Sequence, residues 1–175
     1  MKRLTLFMGA LMTLGLVGCA AVAKYQADAT LSPSFDLSRT YTLAVLRPEY
    51  SRASELMDAL NREAMRAGFS VVERSKVETI LDEQEFGYSG VVDPSTAARL
   101  GKLMGADAVL ISQASDKFDA EYGSWETTVS GRIVSVETGE ILYTCRARGG
   151  GMDKTYATED AAGNFFKEIR KARGK

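Results

Sequence analysis

The chain has 175 residues, a length that suits one domain, and its 45% hydrophobic and 26% charged residues describe a globular protein and exclude a disordered one. Its formal charge of -1 implies no nucleic-acid or other polyanion partner. There is no histidine, which removes the commonest general base and the commonest metal ligand together.

At the N-terminus Lys2 and Arg3 precede an apolar run from Leu4 to Val17. A basic start, a short apolar core and small residues at the boundary describe a secretory signal, and the run is too short for a secure transmembrane helix. The tetrad Leu16-Val17-Gly18-Cys19 resembles the lipobox of bacterial lipoproteins. That resemblance implies diacylglycerol on the Cys19 sulfur, cleavage after Gly18 and acylation of the new amino group, by palmitate. Several chains give lasting attachment where one is marginal. Ala20 stands where an aspartate would signal retention, so the implied address is the periplasmic face of the outer membrane. The alternative is an ordinary secretory signal with a cysteine near its end. If Cys19 is lipidated, Cys145 has no partner within the chain, and burial would protect its thiol in an oxidising compartment.

Residues 19–40 are small and polar, with Pro33 and several serines, and read as a lipidated N-terminus and flexible tether ahead of a domain over 41–175. Leu43 to Leu46 is a compact apolar run, the first strand. From Ser51 to Ala67 the pattern is helical, with Leu56, Ala59, Leu60, Ala64 and Ala67 on one stripe. Gly68 ends that helix, and Phe69 to Glu73 is the second strand. Ser75 and Glu78 fit a capping box at the head of the next helix. After a glycine-containing break at 86–90, Asp93 and Pro94 open another helix, with Ala97, Leu100, Gly101 and Met104 buried and Gly105 at its end. Ala108 to Ile111 is apolar throughout, a strand covered on both faces. Trp125, Thr127, Val129, Gly131 and Ile133 alternate with polar residues, and Gly131 suggests a bulge. Thr138-Gly139 turns the chain into Ile141–Arg148, whose Ile141, Tyr143, Cys145 and Ala147 share a face. Gly149-Gly150-Gly151 reads as a flexible link before a last helix over 158–171. The fold class is α/β: one three-layer-like or two-layer domain with a mixed sheet in β-α-β-α-α-β-β-β-α order.

The segments Val71–Ser75, Ile80–Gln84, Ser89–Pro94, Leu100–Asp107 and Glu137–Leu142, in that order, are similar to those of the curli-secretion lipoproteins, the CsgG family. The resemblance implies the family's periplasmic module. The family's ring-forming channel members add two long membrane hairpins per protomer. Here only Ser112 to Ser124 is available for the first, with Asp116, Lys117, Asp119 and Glu121 in it. Two spanning strands need about nine to eleven residues each. The second position holds Arg146, Arg148 and three glycines. The pore-forming parts are therefore expected to be missing.

Each chemical motif has a plainer reading. Asp116, Asp119 and Glu121 could gather a hard cation, but their spacing lacks a calcium loop's register, and a solvated hairpin tip is preferred. The glycine triplet lacks the lysine of a phosphate loop. Lys167, Arg170, Lys171, Arg173 and Lys175 suit a helix C-terminus as well as anionic headgroups. Ser75 has no histidine to activate it. Trp125 with Tyr122 forms either a contact patch or a core-facing strand residue, and Glu73-Arg74 reads as an ion pair or surface feature. The expectation is a non-enzymatic outer-membrane-anchored periplasmic lipoprotein. It would act as an accessory or scaffold in envelope assembly or protein export. It would have no cofactor, no metal, no nucleic-acid partner and no evident small-molecule substrate. Its partners would be the membrane, through lipid, and envelope proteins, a homo-oligomer included. The alternative is a subunit of a ring-shaped secretion complex.

Overall fold

A computed structural model describes residues 27–83 and 93–174. The signal segment, the lipobox and the 86–90 break lie outside the described residues. Six strands form one sheet: β1 (Asp28–Leu31), β2 (Thr42–Val45), β3 (Ser70–Val71), β4 (Ala108–Asp119), β5 (Ser124–Ser135) and β6 (Ile141–Gly151). Their order is β1-β6-β5-β4-β2-β3. The β2–β3 and β2–β4 pairs are parallel, and the remaining pairs are antiparallel. Five helices accompany the sheet: α1 (Ala53–Arg66), α2 (Arg74–Glu83), α3 (Pro94–Met104), α4 (Lys154–Phe165) and α5 (Lys167–Ala172).

The layering follows from connection handedness. The crossover from β2 to β3 runs one way along the sheet, and that from β3 to β4 runs back. Right-handed connections therefore put α1 on one face and α2 and α3 on the other. Helices α4 and α5 join α1 on the first face. The parallel half is thus three layers, and the antiparallel half, β5-β6-β1, is two. Both expected architectures are present, side by side. Leu43, Ala44 and Val45 of β2 and Ala108, Val109 and Leu110 of β4 are fully buried, because this is where both faces are covered.

Helix ends follow local chemistry. Asp93 caps α3, its carboxylate accepting from the Ser95 and Thr96 amides at 3.0 and 3.1 Å. Gly105 ends that helix at φ +69°, in the left-handed region where a Cβ would be strained. The capping box expected at Ser75 and Glu78 does not form. Helix α2 begins one residue earlier, and the Glu78 carboxylate instead accepts from Arg74 Nε at 2.9 Å. Arg74 also reaches Asp58 at 3.2 Å, so its ion partners are these two acids and the proposed Glu73-Arg74 pair is replaced.

Four further expectations are corrected. The tether does not extend to residue 40. Asp28–Leu31 pairs with Tyr143–Arg146 as an edge strand, and Phe35 and Tyr41 are buried, so the body starts near residue 28. Gly149 to Gly151 is the end of β6 and not a link. A Cβ on Gly149 would lie 2.1 Å from the Ala161 amide nitrogen, so the glycine exists to let α4 lie on the strand. Gly131 is likewise a packing glycine. Its missing Cβ leaves room for the Phe165 ring, and the register shift falls at Ile133/Val134 instead. The last helix starts a turn early, at Lys154, and breaks at Phe166, where Phe165 and Phe166 both enter the core. Burying each ring is worth roughly 2–3 kcal/mol.

Candidate functional surfaces

Strand alternation sorts the antiparallel residues onto two faces. Tyr143, Cys145, Ala147 and Gly149 of β6 and Thr127, Val129, Gly131 and Ile133 of β5 face α4. The Tyr143 hydroxyl donates to the Phe165 carbonyl at 2.6 Å, and burial pushes its pKa up. Cys145 lies beside it, and burial pushes the thiol up to about 11. A neutral, enclosed thiol is a poor nucleophile, in keeping with the protected cysteine expected from sequence.

Among the described residues, no helix lies over the opposite face of the same strands. It presents Gln113, Ser115 and Lys117 from β4, Glu126, Thr128, Ser130 and Arg132 from β5, and Thr144, Arg146 and Arg148 from β6. Two shallow depressions of about 350 and 450 Å³ adjoin there and share Gln113 and Ser130. Arg132 and Thr144 line one, and Glu49 and Arg146 the other. Glu49 extends the sheet: its backbone pairs with Ser112 and Ala114 along the free side of β4. Arg148 approaches Glu126 at 3.9 Å. This is a broad, hydrophilic, mildly basic platform with hydroxyl and amide donors and no enclosed volume. The sequence signal for it was the same alternation that defined the buried face, read at the other parity.

At the far end of the sheet a polar cleft of about 630 Å³ lies among Asp36, Arg39, Tyr41, Asp107, Glu137 and Glu140. Arg39 donates to Asp107 at 2.7 Å, and Asp107 also accepts from the Thr42 amide, so these groups already satisfy one another.

The motifs weighed in the sequence separate in space. Asp116 faces inward and accepts from the Tyr50 and Thr127 hydroxyls, each at 2.8 Å. Asp119 instead accepts from the Glu121 and Tyr122 amides across the turn. Thus Asp116 is a network acceptor within β4, which continues to Asp119, and the solvated tip expected at Asp116, Asp119 and Glu121 holds only from Asp119 onward. Among the described residues no group of histidines, cysteines or carboxylates is arranged to hold a metal ion. The basic C-terminus is an internal clamp. Arg170 donates to Glu63 at 2.8 Å and to the Gly163 carbonyl at 2.7 Å. Arg173 donates to the Ala67, Gly68 and Arg39 carbonyls and lies 4.8 Å over the Phe69 ring. Trp125 is half-buried against Phe118, while Tyr122 is exposed. Leu16, Val17, Gly18 and Cys19 lie outside the described residues. Among those described, no helix is long and apolar enough to cross a membrane.

Residues 49–120, about two fifths of the chain, match the family model for the curli production assembly/transport component CsgG. No curated protein matches by sequence. Among solved structures, the PelC dodecamer from Paraburkholderia phytofirmans aligns over 83% of this chain and 97% of its own, at 9% identity and a TM-score of 0.55. The L103M form of the same protein gives 0.53 at 10% identity, over 82% and 95%. Lipoprotein GNA1162 from Neisseria meningitidis gives 0.49 at 18% identity, over 61% and 78%. At these identities the two PelC matches speak for the fold alone. The described strands all belong to one sheet, and none is left over to build a separate membrane hairpin. Over residues 49–120 the chain is similar to the CsgG family model, and its described residues form an α/β fold with no strand left over for a pore-forming hairpin.

Proposed function

We propose that this is a non-catalytic lipoprotein, anchored through Cys19 at the periplasmic face of the outer membrane, that binds envelope proteins as an accessory or scaffold of assembly or export. The observation that carries the binding role is the helix-free face of β4, β5 and β6. A sheet face that stays hydrophilic and uncovered while its reverse is packed offers an extended surface for a protein and no pocket for a substrate. Arg146 and Arg148, both exposed, suit a partner with carboxylates or exposed carbonyls. The lipobox supports the anchor from sequence alone. Tethering would confine the domain to a thin layer and raise its effective concentration for a membrane-bound partner. The absence of histidine and the enclosed state of Cys145 favour a binding role over an enzymatic one.

Photo-crosslinking in intact cells tests the face. A photoreactive side chain at Ser115 or Thr144 should give adducts with another envelope protein, and one at Lys167, exposed on α5, should not. Adducts from Lys167 alone would reject the assignment. A second reading, a subunit of a ring-shaped complex, draws on the dodecameric state of the PelC structure that shares the fold. Light scattering on the purified protein separates the two: a monomer at high concentration removes the ring.

A further inference from the structure

Seven large apolar side chains are well exposed among the described residues, and four of them gather at one place. Phe118 is the penultimate residue of β4 at 49% exposure, Tyr122 is in the β4–β5 turn at 73%, Met152 follows β6 at 83%, and Tyr156 is in the first turn of α4 at 61%. Met65, Leu103 and Ile141 are scattered elsewhere. Trp125 holds the cluster together. Its ring lies 4.9 Å from that of Phe118, Lys154 Nζ sits 4.1 Å above it, and its backbone is in register with Gly151, against which Tyr156 packs. Single exposed apolar residues are ordinary, but a contiguous aromatic tip needs an occupant.

The path of the chain identifies that occupant. Strand β1 runs antiparallel to β6, with Asp28 opposite Arg146 and Leu31 opposite Tyr143. Followed back toward the N-terminus, the chain therefore leaves the body in the direction of Gly151, toward the aromatic tip and away from the polar cleft at the other end. Cys19 is eight residues before Ala27, a span of at most about 28 Å. The tip lies five β6 residues beyond Arg146, about 17 Å. An anchor at Cys19 thus holds the tip within reach of the lipid surface. The tip's chemistry fits an interface: tyrosine and tryptophan have apolar rings and polar edges, and Lys117 and Lys154 can extend their heads to phosphates. Asp119, Glu121 and Asp153 offset those two lysines, so general attraction to anionic lipid is not the source of binding.

We infer that the tip formed by Phe118, Tyr122, Trp125, Met152 and Tyr156 seats in the phospholipid interface. The sheet then stands on the membrane with its polar platform facing sideways. The inference rests on the lipid anchor proposed above. Trp125 is the sole tryptophan, so its fluorescence reports on the tip directly. The test uses the full mature protein in vesicles of phosphatidylethanolamine and phosphatidylglycerol carrying brominated acyl chains. Trp125 emission should shift to the blue and be quenched, most by bromines near the headgroups, and the quenching should survive high salt. Tyr122→Ser combined with Met152→Ser should reduce it several-fold while the protein still floats with the vesicles. Flotation without quenching would overturn the seated tip and leave the anchor standing, as would quenching lost in high salt. A blue shift that depends on protein density but not on bromine would assign the tip to a second copy and also overturn it. Failure to float, with Cys19 unmodified by intact mass, would remove the anchor and this inference with it.

Discussion

Gly149 is one atom short of a clash. Its absent Cβ would meet the Ala161 amide nitrogen at 2.1 Å and the Ala157 carbonyl oxygen at 2.4 Å, backbone atoms that move only if α4 moves. Gly149→Ala should destabilise the protein by about 3 kcal/mol, read as a lower denaturant midpoint at unchanged slope. Gly139→Ala, where nothing lies within 4 Å, tests φ strain alone and should cost less. Cys145 makes a pH prediction. Its folded thiol titrates at about 11 against an ordinary 9.0, so the folded state holds its proton longer. Stability is intact below pH 9 and falls as pH rises toward 11, by roughly 2–3 kcal/mol. Denaturation from pH 8 to 11 should show this loss in the wild type and less of it in Cys145→Ala. The native thiol should also resist aromatic disulfide reagents at pH 8 until the protein unfolds.

At the scale of elements, α5 is six residues long and too short to persist alone. It is held by Ile169 in the core and by the two arginines that follow the α1 surface. Arg173→Ala removes three charged donors to carbonyls and a cation over Phe69, and should cost about 2–3 kcal/mol. Hydrogen exchange should quicken first over 167–172. Strand β1 has a different task. With only four residues it adds little core, yet it covers the free edge of an eleven-residue strand. Deleting residues 27–32 should leave the fold standing and expose the β6 edge, giving concentration-dependent association by light scattering. The sequence did not reveal β1, because a four-residue strand among serines and threonines carries no periodicity strong enough to distinguish it from a linker.

At the scale of the whole molecule, the sheet has two ends and two unlike halves. One end carries the aromatic tip and the other the polar cleft, and the uncovered face spans the antiparallel half between them. If the tip rests on lipid, that face presents to neighbours in the plane of the membrane, where confinement favours encounter. The face and the tip are separable. Arg146→Glu should weaken partner crosslinking from Thr144 several-fold without changing flotation or Trp125 quenching. An equal loss of all three signals would mean that the protein had misfolded or that one surface serves both roles.

The sequence by itself determined the elements whose signals are local. These are the α1 and α3 stripes, the Asp93 cap, the Gly105 stop and the doubly covered run at Ala108–Ile111. Each depends on a side chain and neighbours a few residues away. The tertiary structure decided what depends on residues far apart in the chain. It made a strand of the glycine triplet because α4 packs on it, turned the basic tail into a clamp because α1 offers it Glu63 and free carbonyls, and left one face of β4, β5 and β6 without a helix among the described residues. It also placed Phe118, Tyr122, Met152 and Tyr156 at one end. Burial is a property of pairs of distant surfaces, and no window of sequence contains both members of the pair.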